Sequence, residues 1–213
     1  MASDAPSCPF LRLPRELRYE IYDHLCRQDF KSYPFRKLPI SSIDQTGPPT
    51  ALLVTCRYLC DEISTYFMAK VTLGLIAQHT PLCSEEIDPI PLSVIQKAKK
   101  IDVRIDWQRV PQAGVDISHW PYQVNGWLAD LVHLLLDKTK GLEIITMSFV
   151  ELGRGTNWEQ KERTLTPLKN IAGRVRFRLG DVITEDEKAA ELKERLGIYL
   201  GELNEVVLPA VGS

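Results

Sequence analysis

Apolar residues recur every four positions near the start of the chain, at Leu17, Ile21 and Leu25, with Arg15, Glu16, Arg18 and Glu20 on other faces. That spacing predicts an amphipathic helix of about four turns, from Leu13 to Arg27, whose aliphatic stripe faces a core. Pro14 suits its first turn, where a missing N–H leaves no bond unmade. From Asp29 to Thr50 the pattern dissolves, and Pro34, Pro39, Gly47, Pro48 and Pro49 mark an extended connection. Helical spacing returns at Ala51, where Leu52, Cys56, Leu59, Ile63 and Phe67 form one stripe. The two helices are expected to share their stripes, which makes only a small core.

Val71 to Ala77 is apolar and β-prone and predicts a strand. Pro81, Pro89 and Pro91, close to Glu85, Glu86 and Asp88, read as a loop, and a module boundary falls between about 70 and 92. Beyond it strands and helices alternate. Ile101, Val103, Ile105 and Trp107 interleave with Asp102, Arg104 and Asp106 at a strict period of two. A Pro/Gly-rich loop precedes a helix over 126–140, with Leu128, Leu131, Val132 and Leu135 inward and Gly141 at its C-cap. A strand follows over 143–150, broken by Gly153, Gly155 and Asn157. A mostly polar segment containing Trp158 then leads to Leu168 and Ile171. Val175, Phe177 and Leu179 alternate with Arg174, Arg176 and Arg178 in a further strand. The last helix spans 185–203, with Thr184 and Glu187 as its capping box.

Strands separated by helices imply βαβ crossovers and a parallel sheet. Strands buried on both faces would be continuously apolar, whereas these alternate, so helices cover one face and the other stays open. The predicted class is α/β, with α+β as the alternative: a helical N-terminal module packed on a small, open-faced, two-layer sheet. The predicted organisation is a tail over 1–9, a helical module over 10–70 with its proline-rich insert over 29–50, and an α/β target-binding region over 71–213. On the open face, Asp102, Arg104 and Asp106 are expected beside Arg174, Arg176 and Arg178 on a neighbouring strand. Such pairs contribute roughly a few tenths of a kcal/mol each. This face resembles a leucine-rich-repeat surface in miniature, although unevenly spaced strand starts argue against a true repeat.

Composition narrows the function classes. The chain has 213 residues, 44% apolar and 25% charged, with a formal net charge of −2. It can bury a core, and it lacks the basic excess of a dedicated nucleic-acid binder. No stretch reaches the roughly 18 apolar residues of a membrane span, the N-terminus lacks a secretory pattern, and no sequon is present. Five cysteines at irregular spacing, Cys8, Cys26, Cys56, Cys60 and Cys83, read as free thiols in a reducing compartment, cytoplasmic or nuclear.

One motif carries a resemblance. Phe10-Leu11-Arg12-Leu13-Pro14-Arg15-Glu16-Leu17-Arg18-Tyr19-Glu20-Ile21-Tyr22-Asp23-His24-Leu25 resembles the first helix of an F-box, with its Leu-Pro opening, Glu-Leu pair and following Ile and Leu. Leu53-Val54-Thr55-Cys56-Arg57 is similar to the F-box helix bearing a Cys-Arg pair. The match is nearest to the F-box-like group of filamentous fungi, and Glu16-Leu17-Arg18 also fits the related two-EXR group. It covers about residues 10–68. About 43 residues separate Pro14 from Arg57, more than an F-box usually has, and Leu59 stands where a tryptophan is frequent. The resemblance implies a protein-interaction adaptor, not an enzyme, that docks on a Skp-type linker subunit within an SCF-type ubiquitin ligase and presents an unidentified target protein. The implied linker-binding residues are Leu13, Pro14, Leu17, Ile21, Val54, Cys56 and Arg57. The alternative is a fungal scaffold or regulatory protein that keeps the fold without ligase assembly.

Other chemistry is sparse. His24, His79, His119 and His133 are scattered, and His24 and Cys26 near Cys56 and Cys60 lack firm metal spacing, so neither a metal nor a cofactor is expected. Cys56 and Cys60, four apart, read as small core residues on one helix face. No nucleophile elbow, phosphate loop or His-Glu-x-x-His occurs. Arg104 between Asp102 and Asp106 suggests an ordinary solvated strand face. Arg174, Arg176 and Arg178, with Trp120 and Trp158, are the candidates for target contact, since arginine and tryptophan suit binding hot spots and acidic partners.

Overall fold

The computed structural model describes residues 9–26, 40–45, 47–77, 89–107, 120–151, 157–184 and 189–206. A short 3-10 turn at Pro9–Arg12 leads into helix α1, Arg15–Leu25. Strand β1 is Ile40–Ile43, α2 is Thr50–Leu53, α3 is Arg57–Lys70 and β2 is Thr72–Ile76. Then come α4, Pro89–Lys97; β3, Lys100–Asp106; α5, Trp120–Lys138; and β4, Ile144–Glu151. Helix α6, Trp158–Leu165, passes into a 3-10 segment at Thr166–Asn170, and β5, Arg176–Thr184, and α7, Ala189–Glu205, complete the order.

The five strands lie in sequence order, β1-β2-β3-β4-β5. β2 to β5 are mutually parallel, and β1 joins β2 antiparallel. The α/β expectation holds, in the form of a mixed sheet. Leu73, Leu75, Ile101, Val103, Ile105, Ile145, Met147, Phe149 and Phe177 point to one face. There they meet Ile95, Trp127, Leu128, Leu131, Leu135, Leu165, Leu168, Leu196 and Leu200 from α4 to α7 in a single cluster. Cys26 and Phe67 belong to the same cluster, so the N-terminal helices and the sheet share one core. The opposite face carries Gly74, Asp102, Arg104 and Ser148.

Several local expectations are corrected. Pro14 is not in the first turn but at the N-cap, with ψ 148°. The second helix is broken: Cys56 is extended, at φ −160° and ψ 158°, and caps α3, so Cys56 and Cys60 do not share a helix. The insert contributes β1, an edge strand, rather than connection alone. Pro89 and Pro91, read as loop, open α4, where a proline's missing N–H leaves no bond unmade. The polar segment after 157 is α6, started by Asn157, whose Oδ1 accepts from the Gln160 N–H at 3.0 Å. Arg174 precedes β5 instead of lying in it. β4 separates β3 from β5, so the acids of β3 and the arginines of β5 are not on neighbouring strands. The Thr184–Glu187 capping box extends outside the described residues.

The largest departure is in α1. Its buried residues are Arg18 and Tyr22, with Cys26 just beyond, while Leu17 and Leu25 remain 45% and 40% exposed and Ile21 is half-buried. The physical reason is the set of partners available. Arg18 Nε and Nη2 donate to Glu62 Oε1 and Oε2 at 2.9 and 2.7 Å, its Nη1 donates to the Leu13 carbonyl, and the Tyr22 hydroxyl donates to Glu62 at 3.0 Å. A guanidinium so fully bonded can be buried at a helix interface. Periodicity counts apolarity alone and assigns the aliphatic stripe inward.

Candidate functional site

Two regions concentrate chemistry. The first is the junction of α1 with α3. Around the Arg18–Glu62 pair, Tyr22 packs against Phe10, Tyr19 and Tyr66 with ring centroids 5.6–6.0 Å apart. Asp23 accepts from Lys70 and the Tyr66 hydroxyl at 2.6 and 2.7 Å. The bond from Arg18 holds the Glu62 carboxyl below its ordinary 4.5, and the bond from Lys70 holds Asp23 below 3.8. Burial, before the nearby carboxylate, pushes the Tyr22 phenol up to about 12. Stability from the depressed carboxylates is fully present above their ordinary values and lost as pH falls through the folded ones. We expect the melting temperature of the wild-type chain to fall as the pH drops below the ordinary carboxylate values, with a shallower fall in Glu62→Gln. Equal slopes in a thermal-melt series would show that the pair carries no such linkage.

Among the charged residues that this junction exposes, such as Glu16, Glu20 and Arg57, stand several large apolar ones. Leu17 and Leu25 project from α1, Val54 at the end of α2 is 75% exposed and Tyr58 on α3 is 58% exposed. Of the residues the motif singles out, Pro14 and Arg57 are exposed, and Leu13, Ile21 and Cys56 are half-buried. Val54 and Leu17 are the large hydrophobic residues among the seven that stand exposed.

The second region is the open sheet face. Strand register aligns Ser42, Gly74, Asp102, Thr146 and Arg178 in one row across the sheet. Beside it, β5 carries one extra residue opposite Ser148, a bulge at Gly180–Asp181. Bulges re-aim side chains beside sites, and this one turns the Asp181 N–H toward Ser148 Oγ, 3.3 Å away. Ser148 Oγ in turn donates to Asp102 Oδ1 at 2.9 Å. A hollow of about 310 Å³ opens above these groups, walled by Ile76, Val150 and Ile183. Burial raises the Asp102 carboxyl above its ordinary value, against the opposing hydrogen bond from Ser148. Asp102 is therefore half-buried rather than a fully solvated surface acid; Arg104 Nε bonds Asp106 at 2.9 Å, and its charge only partly opposes the effect of burial on Asp102.

Gly180 is fixed by this arrangement. A Cβ there would lie 2.3 Å from Ser148 Oγ and 2.8 Å from Thr146 Cγ2. Gly180→Ala should cost about 1–3 kcal/mol through overpacking and displace the Ser148 hydroxyl. Urea unfolding checks this, and an unchanged midpoint would show that the site accommodates a methyl group.

The remaining target-contact candidates divide. Arg174, Arg176 and Arg178 are exposed. Trp158 packs on the core instead, edge-on to Tyr199 at 6.4 Å with Arg195 over its ring, and so acts as an anchor. Trp120 begins α5, but its side chain lies outside the described residues. Sequence reasoning missed Gly74, Ser148, Gly180 and Asp181, whose grouping depends on register and a bulge that no local pattern announces. Among the described residues no cluster of three or more His, Cys, Asp or Glu could hold a metal ion. Among them also, no helix is long and apolar enough to cross a membrane.

No family model, curated protein or solved structure matches this chain.

Proposed function

We propose that the protein is an F-box-like interaction adaptor whose N-terminal helices dock on a Skp-type linker subunit and whose sheet region engages a target protein for ubiquitin transfer. The observation that carries this reading is the inversion of α1. Its polar-aromatic face is buried on α3, and Leu17 and Leu25 are left outward together with Val54 and Tyr58. An aliphatic stripe free of charge is what a helix-in-groove partner needs. Leu13, Pro14, Ile21, Cys56 and Arg57 flank it in the chain and complete the docking set. Cys26, Cys56 and Cys60 are free thiols, in keeping with a cytoplasmic or nuclear setting.

The second reading, a scaffold that keeps the fold without ligase assembly, is favoured by one feature: the long insert contributes β1 to the sheet, a structural task beyond connecting two docking helices. Hydrogen–deuterium exchange of the chain with and without the linker subunit separates the two. The adaptor reading predicts slowed exchange over residues 13–25 and 54–58. Protection confined to the open sheet face would overturn it.

A further inference from the structure

We propose that the hollow on the open sheet face is a binding pocket for one basic side chain, lysine or arginine, presented by a segment of a partner protein. The inference rests on the reading of the sheet region as the target-binding part and gives that target its chemistry.

The hollow lies over the row Ser42–Gly74–Asp102, whose central residue carries no side chain. The space, about 310 Å³, has two kinds of wall. Ile76, Val150 and Ile183 form an apolar side, suited to the methylene stem of a long basic side chain. Asp102 and Asp181 supply carboxylates at the other side.

The charge on this lining is unbalanced. Among the described lining residues Arg104 is the only cation; its Nε bonds Asp106 at 2.9 Å while its charge also favours ionised Asp102, so two carboxylates face one shared guanidinium. Among the described residues Asp102 has a single hydrogen-bond donor, the uncharged Ser148 hydroxyl at 2.9 Å. Burial already disfavours its ionised form, and Asp181 beside it adds repulsion. A guanidinium or ammonium entering the hollow would meet both carboxylates and offset this repulsion.

The floor is fixed beforehand. Ser148 is buried and held between Asp102 and the Asp181 N–H, and only glycine at 180 leaves room for its hydroxyl. A site whose groups are already ordered does not have to order them on binding. The hollow opens on a strand face that also bears Thr146 and Arg178, so a basic side chain can enter from a segment lying across the strands.

Free alkylamines share the head-group chemistry, and the test separates them. The ¹⁵N-labelled full chain is titrated with four probes and followed by NMR: a Gly/Ser peptide with one central arginine, the same peptide with lysine, the same with glutamate, and spermidine. The expected result is saturable shifts of the Gly74, Asp102, Ser148 and Asp181 amides with the two basic peptides, none with the glutamate peptide, and weaker binding of spermidine. Asp102→Asn and Asp181→Asn, each retaining the wild-type circular dichroism, should weaken basic-peptide binding at least about tenfold, or about 1.4 kcal/mol. Spermidine binding as tightly as the peptides would overturn the protein-segment assignment. Absence of saturable shifts with the basic peptides, or equal shifts with the glutamate peptide, would overturn the pocket. No linker subunit enters the assay, so its failure leaves the docking face of α1 untouched, and loss of linker binding leaves the pocket untouched.

Discussion

Glu151→Leu should unfold on the order of 10 °C below the wild-type chain, whereas Glu151→Leu combined with Lys161→Met should recover most of that loss. Lys161 of α6 donates to Glu151 at the end of β4 at 2.7 Å, with both side chains less than a tenth exposed. The ammonium lies 5.3 Å from the centroid of Trp107, which stacks on Phe149 at 4.9 Å. Removing the carboxylate leaves a sheltered cation among aromatic rings, a change worth about 3–5 kcal/mol. Replacing both charges removes the desolvation cost along with the attraction, so the double variant should stand close to wild type. Differential scanning calorimetry reads both. A double variant as unstable as the single would show that the pair contributes net stability beyond its own desolvation.

Leu17→Asp should abolish measurable linker binding while leaving the fold intact. Leu17 is 45% exposed, and its neighbour Arg18, not Leu17, makes the contact with α3. A surface substitution of this kind usually stays within about 0.5 kcal/mol of wild type, plus a few tenths for the poorer helix propensity of aspartate. A charge buried at the centre of an apolar contact costs at least about 2 kcal/mol of binding, roughly a thirtyfold loss. Had the stripe faced inward, as periodicity suggests, the same substitution would collapse the helical pair. Circular dichroism beside a binding isotherm distinguishes the two outcomes.

That contrast shows where the sequence is legible. Strict alternation along Ile101–Asp106 is strong because every inward position is apolar and every outward one polar, and the helical spacing of Leu128, Leu131, Val132 and Leu135 is clear as well; β3 and α5 follow them. The alternation also leads to a sheet open on one face. In α1 the same logic misleads, since Arg18 and Tyr22 are buried by virtue of Glu62, 44 and 40 residues away. A partner at that distance leaves no trace in local spacing. The strand β1 is short, four residues, and is specified by its pairing with β2 rather than by its own composition. The open-face pocket is least legible of all. Its parts come from all five strands, β1 to β5, and it exists only once register and the Gly180 bulge have aligned them. Trp158, a contact candidate by residue type, is instead half-buried against the core, where a large aromatic ring stabilises more than in water.

The central claim is that the exposed face of α1 is a docking surface, and the affinity of the folded full-length chain for its host's Skp-type linker subunit tests it most directly. Isothermal titration should give a dissociation constant of about 1 μM or tighter, near −8 kcal/mol. No heat of binding from a wild-type chain that melts cooperatively would contradict the account and leave a scaffold that shares only the helical arrangement.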